Sequence, residues 1–386
     1  IGMQYRKFRA DELFDGYTLR KTDDTLIADA TGKIVEIVAA ADAGDDVVTF
    51  SGILSPGFIN CHCHLELSHL KNVIPPHTGL VDFLCSVVTK RGFEQELIQD
   101  EIRKAEQEMF ENGIVAVGDI GNTADTAAVK RNSKIRWHNF VEVLGFTDEK
   151  AVSNLQQYTS VAEQLKADHR TSLVPHAPYS ISPLTFQLIN EATAGQIISI
   201  HNQETAAEDD LYKTGAGDFL RLYKIFGFDG SPFPVTGKSS IRSYLPYFNN
   251  DQTIFLIHNT FMPEEDIIWA NEYAADNGLK LVYCFCINAN LYIENKAPHL
   301  ELFQQQHCNL VLGTDSYSSN WQLSITKEIQ ALLQHTTVTT EQAFQMATLN
   351  GAKALQWQND LGSFEKNKQP GIVLIEKDFS ASKRLL

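Results

Sequence analysis

The chain lacks the features that would tie it to a membrane or to nucleic acid. No apolar run approaches the roughly 20 residues that cross a bilayer. Basic residues are outnumbered: 32 Lys and Arg against 48 Asp and Glu leave a formal net charge of -16. A surface of that sign repels phosphate backbones and anionic lipid, so neither is an expected partner. Cysteine is sparse. Cys61, Cys63, Cys85, Cys284, Cys286 and Cys308 fall mostly in apolar stretches and form no small disulfide framework. Free thiols in a reducing cytoplasm are the expectation. No basic-then-apolar leader opens the chain, and Ile1-Gly2 ahead of Met3 reads as a cloning remnant. A G-x-S-x-G elbow, a glycine-rich phosphate loop and the H-x-E…P-C-x-x-C signature of base-flipping zinc deaminases are all missing. Neither an internal repeat nor a low-complexity tract is found.

What is present is an ordinary globular composition, 43% hydrophobic and 21% charged, over 386 residues, enough for one large domain or two. Residues 3 to 55 carry short β-type runs (16–20, 25–28, 33–38 and 47–50) separated by Asp, Gly and Thr. Residues 362–386 have the same character, with a strand candidate at 371–375. Both ends of the chain are therefore expected to build one small β-sandwich, from 1–55 and 360–386, around a central domain at 56–359. That centre alternates apolar strands with helical patterns. Strands are expected near 57–63, 114–119, 135–144, 171–176, 196–201, 254–258, 280–285 and 309–314. Helices are expected over 94–112, 151–166, 183–193, 263–277 and 322–334. Eight strands in this alternation predict a (β/α)8 barrel of the α/β class, with its chemistry at the C-terminal strand ends. The long 214–250 connection, rich in Gly, Phe and Tyr, is expected to form part of a pocket or lid.

The strand ends carry the chemistry. Ser55-Pro56-Gly57-Phe58-Ile59-Asn60 leads into Cys61-His62-Cys63-His64. Side chains alternate along a strand, so His62 and His64 share one face and Cys61 and Cys63 pack on the other. A bare H-x-H is usually two ordinary histidines. Here the fifth strand ends in His201, the sixth in His258, and the eighth in Gly313-Thr314-Asp315-Ser316. His62, His64, His201 and Asp315 make an N/O set for one divalent metal, with zinc expected first and iron second. Glu204, three residues beyond His201, is placed to reach a water there if a helix begins at that point; otherwise it is an acidic first-turn residue favoured by the helix dipole. His258 is either a further ligand, a group that orients the water, or a core histidine bonded to backbone. The fourth strand, Ser172 to Tyr179, carries no lysine to bridge a second metal, so one ion is expected.

With these residues placed, the chain resembles the amidohydrolase superfamily, in its mononuclear deaminase branch, along nearly its whole length. The resemblance rests on the Pro56–Asn60 lead, His62-x-His64, His201-x-x-Glu204, His258, Asn288-x-Asn290-Leu291, Gly313–Ser316, Ala347-Thr348-Leu349-Asn350-Gly351-Ala352 and Leu361-Gly362-Ser363. It implies a flanking β-sandwich, metal on His62, His64, His201 and Asp315, the hydrolytic water against His258, and frequently a homodimer. Leu65-Glu66-Leu67-Ser68 after the histidine pair is similar to aminodeoxyfutalosine deaminases of the alternative menaquinone route. His176-Ala177-Pro178-Tyr179-Ser180 is similar to nucleoside-type deaminases, in which that His contacts substrate. The chain departs from the family in lacking Ala before Glu204, in Lys368-Gln369-Pro370-Gly371, and in lacking Pro and Ser across 286–290.

This ligand set implies water made nucleophilic at neutral pH. Asp315 would accept its proton, His258 would hold it in line, and Glu204 would protonate the ring nitrogen beside the amine-bearing carbon. The expected substrate is an adenine-type ring on a ribose, with aminodeoxyfutalosine as the first expectation. Glu66 and His176 are expected to bind sugar or ring, and Phe83 and Tyr179 to stack on the base. The alternative for Glu66 is a loop salt bridge, and for the aromatics plain packing. A substrate carboxylate would call on Lys71, Lys90 or Arg91. The same set also serves a guanine or cytosine deaminase, a triazine chlorohydrolase or a cyclic amidase. A barrel that keeps metal for structure alone is the non-catalytic alternative.

Overall fold

The computed structural model describes residues 4–21, 23–167 and 169–386; the remnant read at Ile1 and Gly2 lies outside them. Eight parallel strands form its centre, in two sheets of four. In one, Phe58–Cys63, Ile114–Gly121, Arg136–Val143 and Arg170–Pro175 lie side by side in chain order. In the other, Ile197–Asn202, Thr253–His258, Lys280–Phe285 and Asn309–Leu312 do the same. These are strands one to eight below. Apart from the fourth, they are almost continuously buried, as parallel strands covered on both faces are. That is why they read as unbroken apolar runs.

The two sheets touch along both edges. Between strands four and five, the Ser172 hydroxyl donates to Ile197 O at 2.7 Å and His201 N donates to His176 O at 3.1 Å. Between strands eight and one, Thr314 N and Asp315 N both donate to His62 O, at 3.0 and 2.9 Å. The second contact is close enough to require glycine. A Cβ on Gly313 would stand 2.7 Å from His62 Cβ and 2.9 Å from His62 N.

Helices fall where the apolar periodicity puts them: Gln95–Glu111, Ala151–Lys166, Pro183–Ala192 and Glu264–Asp276. The helix read from 322 begins instead at Ile325, because the Ser324 side chain accepts from Lys327 N and caps it there. Leu80–Lys90 is a helix that the sequence reading left out. The 214–250 connection is broken into short helices, Phe219–Ile225 and Ser240–Tyr244. Among the described residues no helix is long and apolar enough to cross a membrane.

Two further sheets flank the centre. One contains Tyr5–Arg9, Thr25–Asp29, Ile34–Val38 and Val47–Thr49. The other joins both chain ends: Ser382–Arg384 pairs with Ile372–Ile375, which pairs with Ile53–Pro56, which pairs in turn with Glu12–Phe14. Phe8, Leu13, Leu26, Ile34, Leu54 and Ile372 pack together as a separate apolar core. All six cysteines are unpaired.

Candidate active site

The C-terminal ends of strands one, five, six and eight bring five side chains to one point. His62 Nε2 lies 3.2 Å from His64 Nε2, and His64 Nε2 lies 3.3 Å from His201 Nε2. Asp315 Oδ1 lies 3.2 Å from His62 Nε2 and 3.3 Å from His64 Nε2. His258 Nε2 lies 3.3 Å from Glu204 Oε1 and 3.9 Å from Asp315 Oδ2. The H-x-H spacing thus puts both rings on one face, although strand one itself ends at Cys63.

These separations fit a divalent ion. Ligand atoms about 2.05 Å from a tetrahedral centre lie about 3.3 Å from one another, and the four contacts among His62, His64, His201 and Asp315 have that length. Orientation agrees. His201 Nδ1 is 2.6 Å from His176 O, which makes it the protonated nitrogen and leaves Nε2 as the lone pair turned to the cluster. His258 Nδ1 is 3.0 Å from Asn290 Oδ1, and its Nε2, facing Glu204 and Asp315, has no hydrogen-bond partner.

The electrostatics point the same way. Burial opposes ionisation of Asp315, but His62 and His64 beside it hold the carboxyl well below its usual range. Burial lowers His62 to about 4. At His64 burial also opposes charge, yet the Asp315 carboxylate prevails and raises it to about 9. A cation at this cluster would compete with a proton for His64. Burial, with Asp315, Glu208 and Glu294 nearby, pushes Glu204 well above the ordinary carboxyl range.

The site also holds strained backbone. Gln203, His258, Asn259 and Asp315 have φ of 44°, 79°, 56° and 59°, values that non-glycine residues seldom adopt. Each turn is tied down. Gln203 N donates to Glu208 Oε2 at 2.7 Å and Gln203 Nε2 to Asp266 Oδ2 at 2.9 Å. Ser319 Oγ donates to Asp315 Oδ2 at 2.8 Å. The helix expected at Glu204 begins later, at Ala206. Glu204 sits in the bend between strand and helix, and the bend carries it to His258.

Above this floor opens a cleft of about 970 Å³, including its mouth. His176, Tyr179, Phe83 and Glu66 all line it. Tyr179 stacks on Phe219 at 4.4 Å between ring centroids and meets His176 edge-on, so one of its faces is already covered. Glu66 is buried and committed to protein: it accepts from Asn122 N at 3.0 Å, Thr123 N at 3.1 Å and Thr123 Oγ1 at 2.7 Å, and Arg91 is 3.5 Å away. The geometry is that of a clamp on the loop after strand two. Of Lys71, Lys90 and Arg91, Arg91 lines the cleft. Lys71 lies over the Tyr317 ring, and Lys90 is exposed at a helix end. Glu142, near the end of strand three, also lines the cleft. The sequence reading passed over it, although a carboxylate within the apolar run Phe140-Val141-Glu142-Val143 was the available signal.

The amidohydrolase family profile matches residues 53–384. An adenosine deaminase of Helicobacter pylori is 28% identical over 329 residues, 83% of this chain and 78% of that protein. A 5-methylthioadenosine/S-adenosylhomocysteine deaminase of Teredinibacter turnerae is 25% identical over 346 residues, 84% of this chain and 72% of that protein. The crystal structure of Helicobacter pylori aminofutalosine deaminase in complex with methylthio-coformycin is similar with a TM-score of 0.79 and 23% identity, over 98% of this chain and 97% of that one.

Proposed function

The chain belongs to the amidohydrolase family, and from that premise we propose that it is a metal-dependent aminohydrolase that deaminates an adenine-type ring carried on a nucleoside. The observation that carries this reading is the pairing of a ligand cluster with a buried acid. Glu204 stands 3.3 Å from His258, beside four donors spaced to hold one ion. A purely structural metal site has no use for either residue.

His62, His64, His201 and Asp315 would hold the ion, zinc before iron. When bound, a divalent ion supplies Lewis acidity and makes water a nucleophile near neutral pH. His258 Nε2, without a protein partner, orients the attacking water, and Asp315 Oδ2 takes up its proton. Glu204, kept protonated by burial, delivers a proton to the ring nitrogen next to the amine-bearing carbon, which makes that carbon electrophilic. Collapse of the tetrahedral adduct then expels ammonia. Phe83 and Tyr179 border the base, and Arg91 is the cation placed to meet an anionic group at the far end. An aryl carboxylate such as that of aminodeoxyfutalosine would suit it, with menaquinone synthesis the implied route and the cytoplasm the implied compartment. We read the two parallel sheets as one (β/α)8 barrel over 56–359, its edges joined at His176–His201 and His62–Asp315, with a sandwich from 1–55 and 360–386.

The test is ammonia release by metal-loaded protein from aminodeoxyfutalosine, adenosine, S-adenosylhomocysteine, methylthioadenosine, guanine and cytosine. Turnover of adenine nucleosides supports the reading, and turnover of aminodeoxyfutalosine alone adds the menaquinone assignment. Silence on all of them with metal bound would overturn it. Glu204→Gln should keep the metal and lose at least about 10³-fold in kcat; undiminished turnover would remove Glu204 from its role.

A further inference from the structure

Two side chains of the cleft present an acceptor atom with no hydrogen bond to the described residues. Glu142 is 6% exposed. Its Oε1 accepts from Asn122 Nδ2 at 3.2 Å, while Oε2 has no hydrogen-bond partner. A buried carboxylate oxygen left unpaired is costly, and native proteins seldom keep one without a reason. The nearest cationic side chain on this wall does not serve it: Arg91 is turned to Glu66 at 3.5 Å and to Asn122 Oδ1 at 3.4 Å.

The second acceptor is His176. Its Nδ1 lies 2.7 Å from Ser180 Oγ. The Ser180 hydroxyl also reaches Ala177 O at 3.1 Å; with its one proton given there, Ser180 accepts from Nδ1–H. A neutral ring protonated at Nδ1 presents Nε2 as a bare lone pair. A carboxylate oxygen of Glu142 and a ring nitrogen each of His176 and His201 all lie within 4.8 Å of one another, and all three residues line the cleft. Burial raises Glu142 to about 7, and its Oε2 bonds neither ring, so the ionised form takes a donor for Oε2 from what occupies the cleft.

We propose that Glu142 and His176 form a two-acceptor subsite for the vicinal hydroxyls of a sugar, with Glu142 Oε2 and His176 Nε2 each taking one hydroxyl proton. The inference rests on the nucleoside reading above and adds to it the residue that makes a ribose preferable to a deoxyribose. Asn122 positions Glu142 by donating to its other oxygen. The Glu66 clamp on Asn122 N and Thr123 N fixes the loop that carries Asn122, so Glu66 acts on the sugar through that loop.

The test is steady-state deamination of adenosine and of its 2′-deoxy, 3′-deoxy and 2′,3′-dideoxy analogues by metal-loaded wild type and Glu142→Gln. Wild type should favour adenosine over the dideoxy analogue by about 10²-fold in kcat/KM, since a site built to bond a hydroxyl rejects the analogue that lacks it. In Glu142→Gln that preference should fall below about 10-fold, with the loss confined to the riboside and expressed mainly in KM. An equal loss on riboside and dideoxyriboside would make Glu142 structural and overturn the subsite. If Glu142→Gln does not fold, the wild-type comparison decides alone: indifference to both hydroxyls overturns the subsite and leaves nucleoside deamination standing. Silence of metal-loaded wild type on every nucleoside removes both.

Discussion

At the floor of the cleft, His62, His64, His201, His258 and Asp315 come from four strands and are buried. Several of them are held in place by a neighbour, as His201 is by His176 O, His258 by Asn290 and Asp315 by Ser319. At the mouth, Val88 and Phe226 come from connecting helical segments, line the same cleft, and remain 42% and 41% exposed. No hydrogen bond dictates the position of either side chain. The floor accepts backbone strain and desolvated charge in exchange for fixed geometry, which is what a reaction centre needs. The mouth offers apolar area with room to adjust, which suits the variable end of a substrate. Chemistry should accordingly be brittle to change at the floor, and affinity tolerant of change at the mouth.

The contrast can be broken most severely at Asp315. Asp315→Ala removes the carboxylate that draws His62 and His64 together. Bound metal measured by atomic spectroscopy should be lost, and kcat/KM should fall at least about 10³-fold, with the circular dichroism spectrum unchanged. Metal retained at full occupancy would show that the histidines suffice. At the mouth, Phe226→Ala should raise KM about 3- to 10-fold and leave kcat nearly unaltered, since a contact equal in ground and transition states costs binding alone. A fall in kcat instead would mean that the rim takes part in closing the floor.

The smallest effect lies beneath the floor. Burial raises Glu208 to about 8, so the folded state holds a proton that the unfolded chain releases near the ordinary carboxyl value of about 4.3. The stability this contributes is fully present below that value and is lost as pH rises through about 8. Wild-type Tm should therefore decline between those limits, and Glu208→Gln, which cannot ionise, should flatten the decline by a few degrees. An unchanged profile would assign the slope to other groups. The Glu208 carboxyl also accepts from Gln203 N and so holds the strained turn that presents Glu204.

The two regions also differ in how far they could be read in advance. The floor was legible because each of its polar motifs stands at the end of an apolar strand. His62-x-His64, His201 and Asp315 carry a local pattern, and parallel strands converge their C-terminal ends on one mouth. The strand and helix spans were legible for the same reason, since burial on both faces leaves a continuous apolar run. The walls were less so. The Leu80–Lys90 helix follows a stretch broken by Pro75 and Pro76, and its apolar side chains join a smaller core apart from the main one, several of them lining the cleft. For Glu66 the sequence leaves a sugar contact and a loop salt bridge both open. That its oxygens bond the 122–123 loop depends on where strand two ends, which no residue near Glu66 encodes.

By itself, then, the chain determined the periodicities: which runs become strands, where they stop, and which imidazoles and carboxylate stand at their ends. Those follow from local geometry, the two-residue repeat of a strand and the burial of a parallel sheet. Only the tertiary structure decided which acceptors are already satisfied. Glu66 and Glu142 are both acidic side chains beside the cleft, yet one is enclosed by donors from a loop 56 residues further along the chain, and the other keeps an oxygen unpaired. A hydrogen bond is a matter of what arrives in space at about 3 Å, and spacing along the chain does not contain that distance.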